Sequence, residues 1–180
     1  MCGRFEFDLS SSKKGKQIRE RAEKMNLVFK QGEVFPNDDV LCIIPVGSKI
    51  DLSVKKWGIQ NKSFQINARM ESIEDRPSYR SMKENRCAVV CNGFYEWDAD
   101  KKKYYVHGDE EYMYLACIFN EENELLIITE ASEGEFARIH SRTPVIMDQP
   151  EMLKYIHNEK WIFRKKKLVF DLKDDELKLF

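Results

Sequence analysis

Met1-Cys2-Gly3-Arg4 opens the chain with residues whose types and spacing could do chemistry. Loss of one methionine would leave Cys2 carrying both a free α-amine and a thiol. Such an aminothiol captures aldehydes: the amine condenses to an imine, the thiol adds to the imine carbon, and a thiazolidine ring closes. Both nucleophiles sit on adjacent carbons, so the second bond needs no further encounter, the advantage of a well-oriented intramolecular reaction. With reference pKa values of about 8 for an α-amine and about 8.5 for a thiol, a usable minority of each group is reactive at neutral pH. A cysteine at position 2 carries little weight without supporting groups elsewhere in the chain.

Three distant segments supply the polar groups this chemistry needs: Asn67-Ala68-Arg69-Met70-Glu71-Ser72, Asn92-Gly93-Phe94-Tyr95-Glu96-Trp97, and His140-Ser141-Arg142-Thr143-Pro144-Val145-Ile146-Met147. Glu96 follows aromatic residues that can desolvate a carboxylate and raise its pKa toward neutrality, which suits a general acid and base for imine formation. The alternative is a surface glutamate ending a strand. His140 can exchange protons at physiological pH, or can be a capping or core histidine. Asn67 offers a donor and an acceptor on a short amide, fit to orient an amino terminus or a sugar. The apolar residues on either side of it favour a strand over a turn.

In this order, and behind an amino-terminal Cys-Gly-Arg, the segments resemble the SRAP (SOS response-associated peptidase) family of abasic-site processing proteins, with its HMCES-like and YedK-like members. The resemblance runs from Cys2 to about Met147. It implies covalent capture of the ring-opened abasic-site aldehyde as a thiazolidine cross-link, with Cys2, Asn67, Glu96 and His140 as the catalytic set. It assigns His140 to the sugar ring and to reversal of the cross-link, and it implies self-removal of Met1. An AP-lyase reaction at the same aldehyde is a further activity it brings into view. The implied partner is single-stranded DNA containing abasic sites, with no cofactor and no metal. Arg4, Arg69 and Arg142 lie in family-like motifs and would hold the DNA backbone through paired guanidinium donors, although Arg142 could equally pair with a local carboxylate. Trp57-Gly58 matches a further family element, its indole either stacked on an unpaired base or buried in the core. Two departures stand out. Val89-Val90-Cys91-Asn92 replaces the family's usual Pro-Ala-Asp before the glycine, and Gly32-Glu33-Val34-Phe35-Pro36 keeps the proline without the usual asparagine.

Two other readings compete. One is a cysteine-dependent peptidase or hydrolase in which Cys2 and His140 form a nucleophile and base pair. The other is a binding module in which Cys2 is incidental.

The elements that must position these residues belong to one unit. A chain of 180 residues with 42% hydrophobic content can bury a sizeable core, and no repeat or linker divides it, so residues 1–180 read as a single SRAP-like domain. With 30 basic against 31 acidic residues, bulk charge gives no footprint for DNA, and any contact must be local. Five cysteines without a C-x-x-C pair, and no basic-then-apolar leader, point to a reducing cytoplasm, at the nucleoid if bacterial. No apolar run reaches membrane-spanning length, and the protein is expected to be a monomer. Cys87 and Cys91 fall on one strand face and read as core rather than as metal ligands.

Ser10-Ser11-Ser12 offers caps for a helix over about residues 12–25. Strands are expected at 40–45, 52–59, 64–70 and 168–172, with 87–91 and 94–97 as two arms around Asn92-Gly93, and a meander through 103–107, 112–119 and 125–129. Short helices are expected at 77–85, 133–140 and 151–157, with a strand at 143–147. Strands outnumber helices without regular alternation. The expectation is an α+β fold with a curved, largely antiparallel, barrel-like sheet flanked by short helices.

Overall fold

The computed structural model describes residues 2–9, 12–160 and 164–173. Five strands close a ring: Glu124–Ala131, Lys49–Trp57, Asp39–Val46, Arg86–Cys91 and Met113–Phe119, the last pairing back onto the first. Every pairing in the ring is antiparallel except that of Glu124–Ala131 with Lys49–Trp57. Arg86–Cys91 and Met113–Phe119 are covered on both faces, which is why their sequences read as continuous apolar runs rather than alternating ones. Pro45 lies near the end of Asp39–Val46, opposite Ile50, where a missing N–H is tolerated.

A second, wholly antiparallel sheet packs against the ring in the order Val169–Lys173, Lys103–His107, Gly93–Trp97, Phe5–Phe7, Gly32–Val34. Phe5, Phe7, Phe94 and Val106 point inward and are buried, each apolar side chain contributing about 1.5–3 kcal/mol. Phe5 meets Trp57 of the ring at 5.1 Å between centroids. The α+β expectation with a curved, largely antiparallel sheet therefore holds, the curvature reaching full closure.

Several local expectations need correcting. The Asn92-Gly93 bend does not join two arms of one hairpin, because Arg86–Cys91 belongs to the ring and Gly93–Trp97 to the second sheet. Asn92 pins the crossing. Its N–H donates to the Glu6 carbonyl at 2.9 Å, its Oδ1 accepts from the Asp8 N–H at 2.7 Å, and its Nδ2 donates to the Glu111 carbonyl at 3.2 Å. At Gly93 a Cβ would lie 2.5 Å from the Tyr105 ring, so the packing of that ring demands glycine.

The meander is also divided. Lys103–His107 pairs with Gly93–Trp97 in the second sheet, and only Met113–Phe119 and Glu124–Ala131 are ring neighbours. The strand expected at 64–70 splits at Ile66, whose carbonyl accepts from the Trp57 indole at 3.0 Å and from the Ile127 N–H at 3.2 Å. Likewise the strand at 143–147 becomes Arg142–Pro144 and Ile146–Met147, with Val145 crossing from one partner strand to the other.

Among the described residues, two α-helices flank the sheets. Lys13–Lys24 is capped by Ser12, whose Oγ accepts from the Gly15 N–H at 2.9 Å; Ser10 and Ser11 lie outside the described residues. Gln149–Ile156 begins with a reciprocal Asp148–Glu151 capping box. The helices expected at 77–85 and 133–140 shrink to single 3₁₀ turns, Pro77–Tyr79 and Phe136–Arg138. Among the described residues no helix is long and apolar enough to cross a membrane.

Candidate active site

The amino-terminal strand aims Cys2 along the strand that carries Glu96. Phe5 pairs with Phe94 and Glu6 with Gly93, and the Tyr95 N–H donates to the Arg4 carbonyl at 2.9 Å. Continuing that antiparallel run toward the terminus brings Cys2 beside Glu96 and Trp97. Strand alternation places Glu96 on the same inward face as Phe94, and its side chain is buried with only 3% exposure.

Burial raises the Glu96 pKa above the ordinary carboxylate value, while positive charge, His140 included, pulls it back. Cys2 is fully buried, and both the burial and the neighbouring Glu96 charge push its thiol well above the usual range. The thiol donates to the Arg4 carbonyl over a long 3.9 Å.

One ring strand, Glu124–Ala131, brings the other two groups in. On one edge it pairs in parallel with Asn67–Arg69, placing Asn67 opposite Ile127. Asn67 Nδ2 donates to the Cys2 carbonyl at 3.0 Å, and its Oδ1 is buried with no hydrogen-bond partner among the described residues. The same strand pairs with Arg142–Pro144, just beyond His140. The 3₁₀ turn before His140 is anchored by Phe136, packed edge-on against Phe94 at 5.9 Å, and the His140 N–H donates to the Phe136 carbonyl at 3.1 Å. The Nδ1 of His140 lies 3.0 Å from both the N–H and the carbonyl of Arg142. Cys2, Asn67, Glu96 and His140, drawn from four separate segments, are thus brought together.

The expected DNA-contacting residues divide. Arg69 is exposed at the end of the Asn67 strand. Arg4 is sandwiched between Phe35 and Trp97, with its guanidinium 4.5 and 5.0 Å from the two ring centroids, and lies 3.5 Å from Glu33. Arg142 takes the local-carboxylate alternative, forking onto Glu71 at 2.8 and 3.0 Å and onto the Thr129 carbonyl at 2.6 Å. The stacking role for Trp57 is corrected: the indole is fully buried and its N–H is committed to Ile66, so it is a core residue. Glu71, Phe35 and Trp97 received no role from the sequence, although Glu71 and Trp97 lie inside two of the quoted segments. Their position in those segments was the available signal.

The SRAP family model, described as SOS response associated peptidase, matches residues 1–180. The chain belongs to the SRAP family. Among its SRAP-like relatives, the abasic site processing protein YoqW of Bacillus subtilis is 30% identical over 118 residues, covering 54% of this chain and 48% of that protein. The abasic site processing protein YMR114C of Saccharomyces cerevisiae is 27% identical over 113 residues, covering 52% of this chain and 31% of that protein. The matched region therefore spans less than half of either relative. The SRAP chain also shares its fold with the crystal structure of a phage-related protein from Bordetella bronchiseptica. That likeness has a TM-score of 0.74 at 22% identity and covers 98% of this chain and 96% of the other.

Proposed function

We propose that this SRAP protein captures the ring-opened aldehyde of an abasic site in single-stranded DNA as a thiazolidine on Cys2. The observation that carries the reading is the Asn67 side chain. Its Nδ2 fixes the Cys2 carbonyl at 3.0 Å, while its buried Oδ1 remains open among the described residues to accept from an α-amine. Hydrolysis of the Met1–Cys2 bond frees that amine, water giving its hydroxyl to the methionine acyl carbon and a proton to nitrogen.

The amine adds to the aldehyde carbon, and Glu96 moves a proton from nitrogen to the new hydroxyl, which leaves as water. The thiol then adds across the C=N bond, with sulfur going to carbon and its proton passing through Glu96 to nitrogen. One water is lost overall, and nothing is oxidised or reduced. Electrostatics support attack by the amine before the thiol, because burial and the Glu96 charge push the thiol pKa up. The same raised thiol pKa argues against a Cys2–His140 thiolate hydrolase, which needs the opposite shift. His140 supplies the proton exchange that opens the closed sugar to its aldehyde.

The relatives named abasic site processing proteins support the lesion class, and exposed Arg69 is the best-placed phosphate contact. The test is incubation with a single-stranded oligonucleotide bearing an abasic site. A denaturation-resistant adduct that disappears in Cys2→Ala and does not form with a tetrahydrofuran analogue supports the reading. An undiminished adduct in Cys2→Ala rejects it.

A further inference from the structure

Arg142 touches His140 through its backbone and Glu71 through its side chain, so it joins the imidazole to a carboxylate outside the catalytic set. The Arg142 guanidinium forks onto both Glu71 oxygens at 2.8 and 3.0 Å and reaches the Thr129 carbonyl at 2.6 Å and the Thr129 hydroxyl at 3.3 Å. Thr129 is fully buried, on the ring strand that also pairs with the Asn67 and Arg142 segments. Paired guanidinium–carboxylate bonds fix direction as well as distance, so the fork tethers the side chain of a residue whose backbone also pairs with Ala131.

That backbone presents an N–H and a carbonyl, each 3.0 Å from His140 Nδ1. A backbone N–H only donates and a carbonyl only accepts: in neutral His140 the Nε2–H tautomer lets Nδ1 accept from the N–H, whereas the Nδ1–H tautomer would donate to the carbonyl and turn its hydrogen toward that N–H. When the ring gains a proton, the same Nδ1 can donate to the carbonyl without turning. One peptide unit thus serves both protonation states of a ring that must exchange protons.

We propose that Glu71 is a positioning residue for His140, acting through Arg142 to hold the imidazole in one orientation and one neutral tautomer. The consequence for capture rests on the reading above, whereas the tautomer does not. Glu71 has 56% side-chain exposure, so its substitution leaves the core intact.

The experiment is ¹⁵N imidazole NMR of the free protein, whose three histidines give a countable set of signals, alongside cross-link kinetics. Wild-type His140 is expected to show a single Nε2–H tautomer. Glu71→Ala is expected to give mixed tautomers and to slow cross-link reversal about tenfold, with no loss of affinity for tetrahydrofuran-containing single-stranded DNA. Glu71→Gln, which keeps one acceptor for Arg142, should largely restore the single tautomer. Arg142→Lys, which cannot fork onto Glu71 and Thr129 together, should lose it. An unchanged His140 tautomer in Glu71→Ala and Arg142→Lys overturns the proposal, even if stability falls. If no cross-link forms in the wild type, the capture reading fails while the NMR result still decides the role of Glu71.

Discussion

Two groups of cysteines share full burial and differ in their company. Cys42, Cys87 and Cys117 lie in the ring, where burial pushes the Cys42 and Cys87 thiols up and the nearest polar neighbours include one another. Lys55 is the charged exception beside them, its ammonium bonded to Asn123 Oδ1 at 2.9 Å and resting 3.7 Å above the Phe119 ring. Cys2 is just as buried and its thiol is also pushed up, yet a carboxyl and a carboxamide lie beside it, with an imidazole near the carboxyl. On the proposed reading, the difference teaches that a lowered thiol pKa is not what marks the reactive cysteine. The mark is the set of neighbours able to carry its proton away.

The comparison breaks most sharply at the two thiols themselves. Cys2→Ala should abolish the DNA adduct, whereas Cys87→Ala should retain it and lose about 1–2 kcal/mol of stability in denaturant titration. An adduct that survives the first substitution, or vanishes in a folded form of the second, erases the distinction.

Trp57→Ala comes next. As a core indole it should cost about 3–5 kcal/mol of stability, and DNA affinity measured on the folded fraction should be unchanged. A selective loss of DNA binding with normal stability would restore the indole as a stacking platform.

Glu96→Gln should slow adduct formation about 100-fold. Its pH behaviour sharpens the point: in the wild type the rate falls on acidification as Glu96 takes up a proton, and burial sets this limb above the ordinary glutamate range. The substitution should remove the limb. A raised folded-state pKa also means that Glu96 supports the fold when protonated, a contribution lost as pH rises through that value. Glu96→Gln should therefore melt higher than the wild type at neutral pH, and a lower melting temperature would contradict the assignment. The smallest expected effect is Asn67→Ala, about tenfold on adduct formation, with little change in stability because Asn67 orients the terminus without moving protons.

How far the fold was legible follows from particular residues. Continuous apolar runs marked the doubly covered strands at 86–91 and 113–119, and Ser12 marked a helix start. The four candidate site residues each sit in a recognisable segment, and the fold brings those segments together. Pairing partners were not readable, since Lys103–His107 and Met113–Phe119 are consecutive in sequence but belong to different sheets. Their patterns do differ in the physically expected way. Lys103–His107 is half-covered, with Val106 its buried residue, whereas Met113–Phe119 is buried almost throughout. The orientation of Trp57 and the pairing of Arg142 with Glu71 are long-range outcomes, set by Ile66 and by a carboxylate 71 residues away.

The most direct test of the account is the intact mass of the denatured protein after incubation with abasic single-stranded DNA and borohydride. The account predicts the mass of the Met1-free chain plus the oligonucleotide less one water, with no added hydride, because a closed thiazolidine has no C=N bond left to reduce. A product that gains hydrogen on reduction, or a cross-linked chain that still carries Met1, would contradict it.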